Sequence, residues 1–326
     1  MKPGHTIRVA VLGAGPMGRN HLRIYSQLRG IELVGVVDPD PDRLRFATSS
    51  FGCPGFPDAS QLPDSIDAAS IATPPATHAE LGILLMNRGV HCLIEKPLAT
   101  STDQCQALID AARNNKVILL VGHVERFNPA IRELTRLLTS GPRILALDAR
   151  RMSHASSRIT DVDVIADLMV HDLDLVMNLV QRPIVRVTAG NVRTTDSPGS
   201  DHVCALLGFE GGILATITAS RITRHRVRQL SVTADMGWIT ADLIAQELCI
   251  FRQGVGIAAS GASGTACPVD HSLERVMVRH AEPLALELQH FIDCVQGEAQ
   301  PLVTGQQAFA VLEMAETIRR SATEKS

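Results

Sequence analysis

The chain predicts an α/β fold in two parts: a doubly wound parallel sheet over residues 1–122, then an α/β domain over 123–304 with a large open, mainly antiparallel sheet. Three observations predict it. The first part alternates β-rich runs with helical stretches, the pattern of a parallel sheet with helical crossovers. After Gly122 strands follow one another across short turns, the pattern of an antiparallel sheet. At 326 residues the chain also suits two hydrophobic cores better than one.

The totals bound the class. The chain is 45% hydrophobic and 20% charged, ordinary for a soluble globular protein. It holds no run of about 18 apolar residues, so no membrane span is expected. Met1-Lys2-Pro3-Gly4-His5 leads into a strand-like segment without an apolar signal core. A net charge of -3 gives no support to a nucleic-acid partner. The seven cysteines are scattered, odd in number and free of C-x-x-C spacing. Neither a disulfide frame nor a metal site is therefore expected, and a reducing cytoplasm is the simplest setting. Residues 254–266 read as a small-residue loop.

The first part opens with a strand over 7–12, at once followed by Gly13-Ala14-Gly15-Pro16-Met17-Gly18 and a helix over 19–28. A second strand, 31–37, ends in Asp38, 20 residues after the last of these glycines. G-x-G-x-x-G alone is weak. Between strand and helix, with an acid at that distance, it is the dinucleotide-binding fingerprint of a Rossmann domain. The first glycine permits the turn, and the second lets backbone approach a pyrophosphate at the helix N-terminus. Asp38 is placed to accept from a ribose 2′-hydroxyl and would repel a 2′-phosphate, so NAD is expected over NADP. The competing explanation is a ligand-free glycine turn followed by an unrelated acid.

Further strands are expected at 68–72, 90–94 and 117–121, with helices at 76–87 and from Thr100 or Ser101 to 114. Gln104 is placed for a capping box on the second of these helices. Ligands of such a sheet bind beyond the carboxyl ends of its strands. That rule nominates Gly13, Gly15, Pro16, Met17, Gly18, Asp38, Thr73, Pro74, Glu95 and Lys96 as cofactor-binding residues, and His78, in the first turn of the next helix, is a further candidate. Lys96 falls at the mouth of the crevice, and Lys96-Pro97 is free to be cis. A solvated lysine and an ordinary first-turn histidine are the plain alternatives for Lys96 and His78.

In the second part a helix is expected to 138 and a strand over 144–150, then a buried helix over 167–178. At about 100° per residue the latter gathers Asp167, His171, Asp174 and Asn178 into a stripe about 60° wide on an otherwise apolar surface. A buried carboxylate and imidazole one turn apart either satisfy each other in a core or line a pocket. Asp172 lies in the apolar arc and requires a partner that the sequence does not name. Strands follow at 184–192, 203–209, 213–219, 230–234, 238–242 and 248–251. Amphipathic helices at 284–295 and 307–319 close the chain, the last returning to the first domain, over about 305–322.

Taken together, several stretches resemble the Gfo/Idh/MocA NAD(P)-dependent oxidoreductases. They are Gly13–Gly18 with His21, Thr73-Pro74-Pro75 with His78, Glu95-Lys96-Pro97, Asp167 with His171 and Asp174, and Glu282-Pro283-Leu284 with Phe291. The resemblance covers almost the whole chain. It implies hydride transfer at a sugar or cyclitol hydroxyl and homodimers or homotetramers built through the open sheet face. It places Lys96, Asp167 and His171 on the family's catalytic positions. Residues 121–129 and 167–174 are most similar to the family's UDP-N-acetylglucosamine 3-dehydrogenases. That subgroup supplies a 3-keto sugar to an aminotransferase, for example in making a 2,3-diamino sugar for lipid A. The chain departs from many members in carrying Ile165-Ala166 where a Gly-Gly pair often precedes the aspartate.

The expected chemistry has His171 as general base, because an ordinary imidazole titrates near neutrality. Asp167 would orient it, and Lys96 would hydrogen-bond the reacting oxygen, or act as the base itself if burial lowers its pKa. A nucleotide-sugar diphosphate calls for cations. Arg126 and Arg158, with Asn128, are the substrate-binding candidates beside Lys96 and His171. The cluster Arg221, Arg224, His225, Arg226 and Arg228 reads instead as a hairpin tip or subunit contact. The enzymatic alternative is a dehydrogenase of a free sugar or inositol. A non-catalytic NAD-binding sensor would have no need of Lys96, Asp167 and His171 together.

Overall fold

A computed structural model of the chain describes residues 6–139, 141–154, 163–194, 199–253 and 271–323. It divides into two units, Met1–Phe127 with Ala281–Glu313, and Asn128–His280 with Met314–Ser326.

The first unit is built on β1 (Ile7–Leu12), α1 (Pro16–Tyr25), β2 (Ile31–Val37), α2 (Pro41–Phe51), β3 (Gly55–Phe56), β4 (Ala68–Ile71), α3 (His78–Asn87), β5 (His91–Glu95), α4 (Thr102–Asn115) and β6 (Leu119–Gly122). Its six strands lie in the order β3-β2-β1-β4-β5-β6, every pair parallel. This is the expected Rossmann sheet. Strands covered on both faces read as unbroken apolar runs, as in Ala68–Ile71, buried throughout. Helix α4 starts with the capping box: Ser101 accepts from Gln104 N–H, and the Gln104 side chain accepts from Thr100 N–H at 3.2 Å. Helix α2 breaks the simple alternation and is announced by local signals instead. Asp40 accepts from the N–H groups of Asp42 and Arg43, Pro41 takes the first turn, and Gly52 closes it at φ 67°.

The chain then supplies α5 (Pro129–Thr139), β7 (Ile144–His154), a π-helical turn over Ile165–Met169, α6 (Val170–Val180), β8 (Ile184–Val192), β9 (His202–Phe209), β10 (Leu214–Ser220), β11 (Ile222–Ala234), β12 (Gly237–Asp242), β13 (Glu247–Gln253), β14 (His271–Val276), α7 (Pro283–Gln296) and α8 (Gly305–Thr323). Eight strands form the second unit's sheet in the order β14-β13-β12-β11-β7-β10-β9-β8. Only β7 and β10 pair in parallel; the remaining neighbours are antiparallel, as expected. Leu147, Ala149 and Arg151 on β7 alternate inward, the side that α6 packs against.

Two differences from the sequence reading stand out in this sheet. The basic stretch at 221–228 is not a hairpin tip. It opens the long strand β11, whose register against β7 jumps between Ile222 and Val227, leaving Arg224, His225 and Arg226 exposed at a bulge. Strand β14 is the other: its exposed, charged residues carry no apolar alternation to reveal it.

Helix α7 lies inside the 123–304 span expected for the second domain, yet groups with the first unit. Its Leu288, Phe291 and Ile292 share a core with Leu22 and Tyr25 of α1 and with Val9 and Val11 of β1. Helices α3 and α4 cover the opposite face through Leu85, Met86, Leu108 and Ile109. The last helix, α8, is divided: Gly305–Glu313 belongs to the first unit and Met314–Thr323 to the second.

Candidate functional site

The glycine turn is fixed by steric demands that the sequence pattern anticipates. Gly13 sits at φ +96°, and a Cβ there would lie 2.6 Å from the Ala72 carbonyl oxygen. At Gly18 a Cβ would fall 1.7 Å from the Gly13 carbonyl oxygen, so the helix could not pack so close to the strand. Gly15 differs. A Cβ there would meet open space, and α1 begins at this residue with no side-chain cap on its first N–H groups. Uncapped N–H groups beside open space fit a cofactor pyrophosphate. Pro16 and Met17 form the exposed first turn of that helix.

Asp38 closes the turn from the next strand. Its Oδ2 accepts from Ala14 N–H at 2.7 Å and its Oδ1 from Asp40 N–H at 2.9 Å. The carboxylate is thereby held against the glycine turn, on the side where the fingerprint places a ribose. Beside it the Arg19 guanidinium donates to the Ala14 carbonyl at 3.0 Å and stacks 4.0 Å over the Phe46 ring.

The strand ends beyond β4 and β5 are tied together. His78, only 1% exposed, has ring nitrogens 2.9 Å from the Thr73 carbonyl and 3.0 Å from the Pro97 carbonyl. It therefore braces the two loops that carry Thr73, Pro74 and Lys96. Glu95 is turned onto His21: its Oε1 lies 3.0 Å from His21 Nε2, while its Oε2 accepts from Lys96 N–H at 3.3 Å. The following Lys96–Pro97 peptide is cis. Below this pair, burial raises the proton affinity of the Tyr25 hydroxyl, with Glu287 and Glu95 adding to it against a 2.8 Å bond to Ser70. The sequence names His21 only as part of a motif; its task of holding the residue before Lys96 is visible only in three dimensions.

In the second unit Asp167 lies within the π-helical turn and His171 just after it, both half-buried. Asp163 starts the helix, accepting from Ala166 N–H at 2.9 Å and from Arg319 Nε at 2.6 Å. Burial alone would raise the Asp163 pKa, but Arg319, the Ala166 N–H and the Arg221 charge outweigh it and hold the carboxyl below its ordinary value. Asp172 finds the partner its position demands. Arg151 Nε and Nη2 each donate to it at 2.9 Å, and both side chains are 2% exposed. Arg151 sits at an inward position of β7, so the alternation of Leu147, Ala149 and Arg151 is the signal that could have found it. Asp174 is buried and Asn178 half-buried further along α6.

Of the substrate candidates, Arg126 is buried and donates from Nη1 to the Leu302 carbonyl at 3.1 Å. Asn128 is also buried: its Nδ2 donates to the Leu243 carbonyl and its Oδ1 accepts from Ala130 N–H at the start of α5. These bonds give both residues a task in holding the chain. Arg221 is committed to Asp201 through a 2.8 Å bond. Arg158 lies outside the described residues, as does the loop at 254–266. Among the described residues no cluster of His, Cys, Asp or Glu is arranged to hold a metal ion.

Comparison with known proteins adds an independent line. Residues 7–123 match the model of an oxidoreductase family with an NAD-binding Rossmann fold, and 146–240 match the GFO/IDH/MocA C-terminal domain. UDP-N-acetylglucosamine 3-dehydrogenase from Acidithiobacillus ferrooxidans is 32% identical over 96% of both chains. Its solved structure matches with a TM-score of 0.88 at 30% identity, covering 97% of each chain. Inositol 2-dehydrogenase from Rhizobium meliloti is 27% identical over 98% of both chains. The scyllo-inositol 2-dehydrogenase (NAD(+)) of Bacillus subtilis is 27% identical over 95% of this chain and 92% of that protein.

Proposed function

From the premise that the chain belongs to the Gfo/Idh/MocA family of oxidoreductases and carries its NAD-binding Rossmann domain, we propose that it oxidises the 3-hydroxyl of UDP-N-acetylglucosamine to the ketone. The observation that carries the substrate is the likeness to a UDP-N-acetylglucosamine 3-dehydrogenase over nearly the full length of both chains, at higher identity than the inositol enzymes of similar coverage. The product then serves an aminotransferase in amino-sugar synthesis of the kind that feeds lipid A. The six described cysteines are free, which supports a reducing, cytoplasmic setting.

NAD, when bound, supplies the hydride acceptor. The protein's own groups do the rest. A ring nitrogen of His171 takes the hydroxyl proton, and Asp167 orients the ring and stabilises the resulting imidazolium. Lys96 Nζ donates to the same oxygen and stabilises its developing negative charge. The His21–Glu95 pair and the His78 brace hold the segment on which Lys96 stands. Gly13, Gly15 and Gly18 with Asp38 hold the cofactor.

Two experiments test this reading. Purified protein given NAD and a panel of UDP-sugars, free sugars and inositols is followed by NADH absorbance, with the aminotransferase present to draw the ketone away. Turnover is expected on UDP-N-acetylglucosamine; faster turnover on an inositol would establish the cyclitol reading instead. Lys96→Ala and His171→Ala should each lower kcat by about 10²–10⁴-fold, with NAD binding retained. Wild-type turnover in both would remove the assignment.

We further read the sheet face opposite α6 as a homo-oligomer interface. Trp238 is 46% exposed there and stacks on Phe251 with ring centroids 4.9 Å apart. Val192 and Leu214 lie exposed on the same face.

A further inference from the structure

The segment carrying Asp167 and His171 has an unusual winding, and the side chains that fix it are not those that would do the chemistry. Residues Ile165–Met169 form a π-helical turn, after which α6 continues with ordinary α geometry. A π turn is rare, is poorer in energy than α-helix, and recurs at functional sites. It persists where its surroundings hold it.

Here an arginine–carboxylate fork stands on each side. Before the turn, both Asp163 oxygens are taken by Arg319, at 2.6 and 3.3 Å, while one also caps Ala166 N–H. After the turn, both Asp172 oxygens are taken by Arg151, at 2.9 Å each. Arg151 stands on β7, a strand with neighbours on both sides in the middle of the eight-stranded sheet. Asp172 is bonded covalently to His171. Its side chain is thus a peg that fixes the backbone from which the imidazole projects.

Packing alone would not require this pair. Apolar residues of similar volume usually serve a core as well as a buried ion pair does, or better. A planar guanidinium meeting a carboxylate through two parallel bonds provides a defined direction instead. The apolar neighbours Met169, Val170, Leu173 and Val176 are buried but offer no such directionality. Asp167 lies inside the π turn and His171 just after it, so the winding between them sets the direction from the carboxylate to the ring.

We propose that Arg151 and Asp172 are positioning residues that hold the winding and backbone of this helix at His171, fixing the aim of its ring relative to Asp167 for proton transfer. The proposal rests on the catalytic reading of those two residues. It predicts that loss of the fork loosens the turn and misaims the base without disturbing the cofactor half of the protein.

The test uses the full chain with two variants. Arg151→Lys keeps the charge and loses the fork. The double variant Arg151→Met with Asp172→Leu removes both charges, so that neither is left buried alone. Amide exchange by mass spectrometry should show lost protection in residues 165–171 with 173–180 unchanged. With UDP-N-acetylglucosamine, kcat should fall by about 10²-fold and its pH profile should shift, while KM for NAD stays at the wild-type value. Folded variants with wild-type exchange over 165–171 and wild-type kcat would overturn the proposal. So would failure of both variants to fold, since the pair would then serve the stability of the whole unit. His171→Ala separates the two claims. If it retains full turnover the catalytic reading fails, while the exchange measurement still reports on the winding.

Discussion

Asp38 shows how one side chain can serve fold and ligand at once. Its carboxylate is bonded to the N–H groups of Ala14 and Asp40, so it shapes the glycine turn before any cofactor arrives. Asp38→Ala should therefore weaken NAD binding by about 1.5–3 kcal/mol, the worth of a charged hydrogen bond, or about tenfold to a hundredfold in Kd by titration calorimetry. Gly18→Ala should do more, because its Cβ has no room beside the Gly13 carbonyl. No measurable NAD binding is expected from it. The sequence makes these positions legible since each glycine answers a local steric question. It nominates Glu95 for the cofactor but does not reveal the bond to His21, which spans 74 positions of chain. Arg126 and Asn128 likewise show in three dimensions the carbonyls they hold, at Leu302 and Leu243, which no local pattern announces.

Among the elements, α7 carries much of one face of the first unit. Phe291 is fully buried there, and Phe291→Ala should cost about 3–5 kcal/mol, read as a lower midpoint in urea unfolding. The junction of β5 and β6 is expected to respond to pH. His91 Nδ1 accepts from Ile118 N–H at 2.8 Å, and burial lowers the ring's pKa below 6.5, outweighing the nearby Asp67 charge. A pKa depressed in the folded state means that protonation favours the unfolded chain. The stability is present above about pH 6.5 and is lost as pH falls through the folded value. The drop in Tm from pH 7.5 to pH 5.5 should be smaller in His91→Asn than in wild type. Elements with both faces covered, or with a cap or turn residue, were legible from the sequence: β1 and β2 match to the residue, and Ser101 with Gln104 marks α4. Strand β11 was half hidden, since its polar outward residues and its bulge erase the period of two. The π turn was invisible, because its composition is that of the α-helix it interrupts.

For the whole molecule, the exposed Trp238, Val192 and Leu214 on one face of the eight-stranded sheet predict association. Trp238→Lys should shift the protein to a smaller species in light scattering after size exclusion, with the fold intact by circular dichroism. Turnover of the dissociated form would then report whether each chain works alone. A different consequence follows from the place of α7 in the chain. During synthesis the ribosome delivers the residues up to 127 first, and their face around Leu22 and Tyr25 waits for Leu288 and Phe291 to cover it. The entire second sheet must emerge in between. The nascent first unit is therefore expected to lack the α7 part of this core until that helix emerges. A chain arrested near residue 200 should be protease-sensitive throughout its N-terminal half, and should become resistant only once residues beyond 296 have left the exit tunnel.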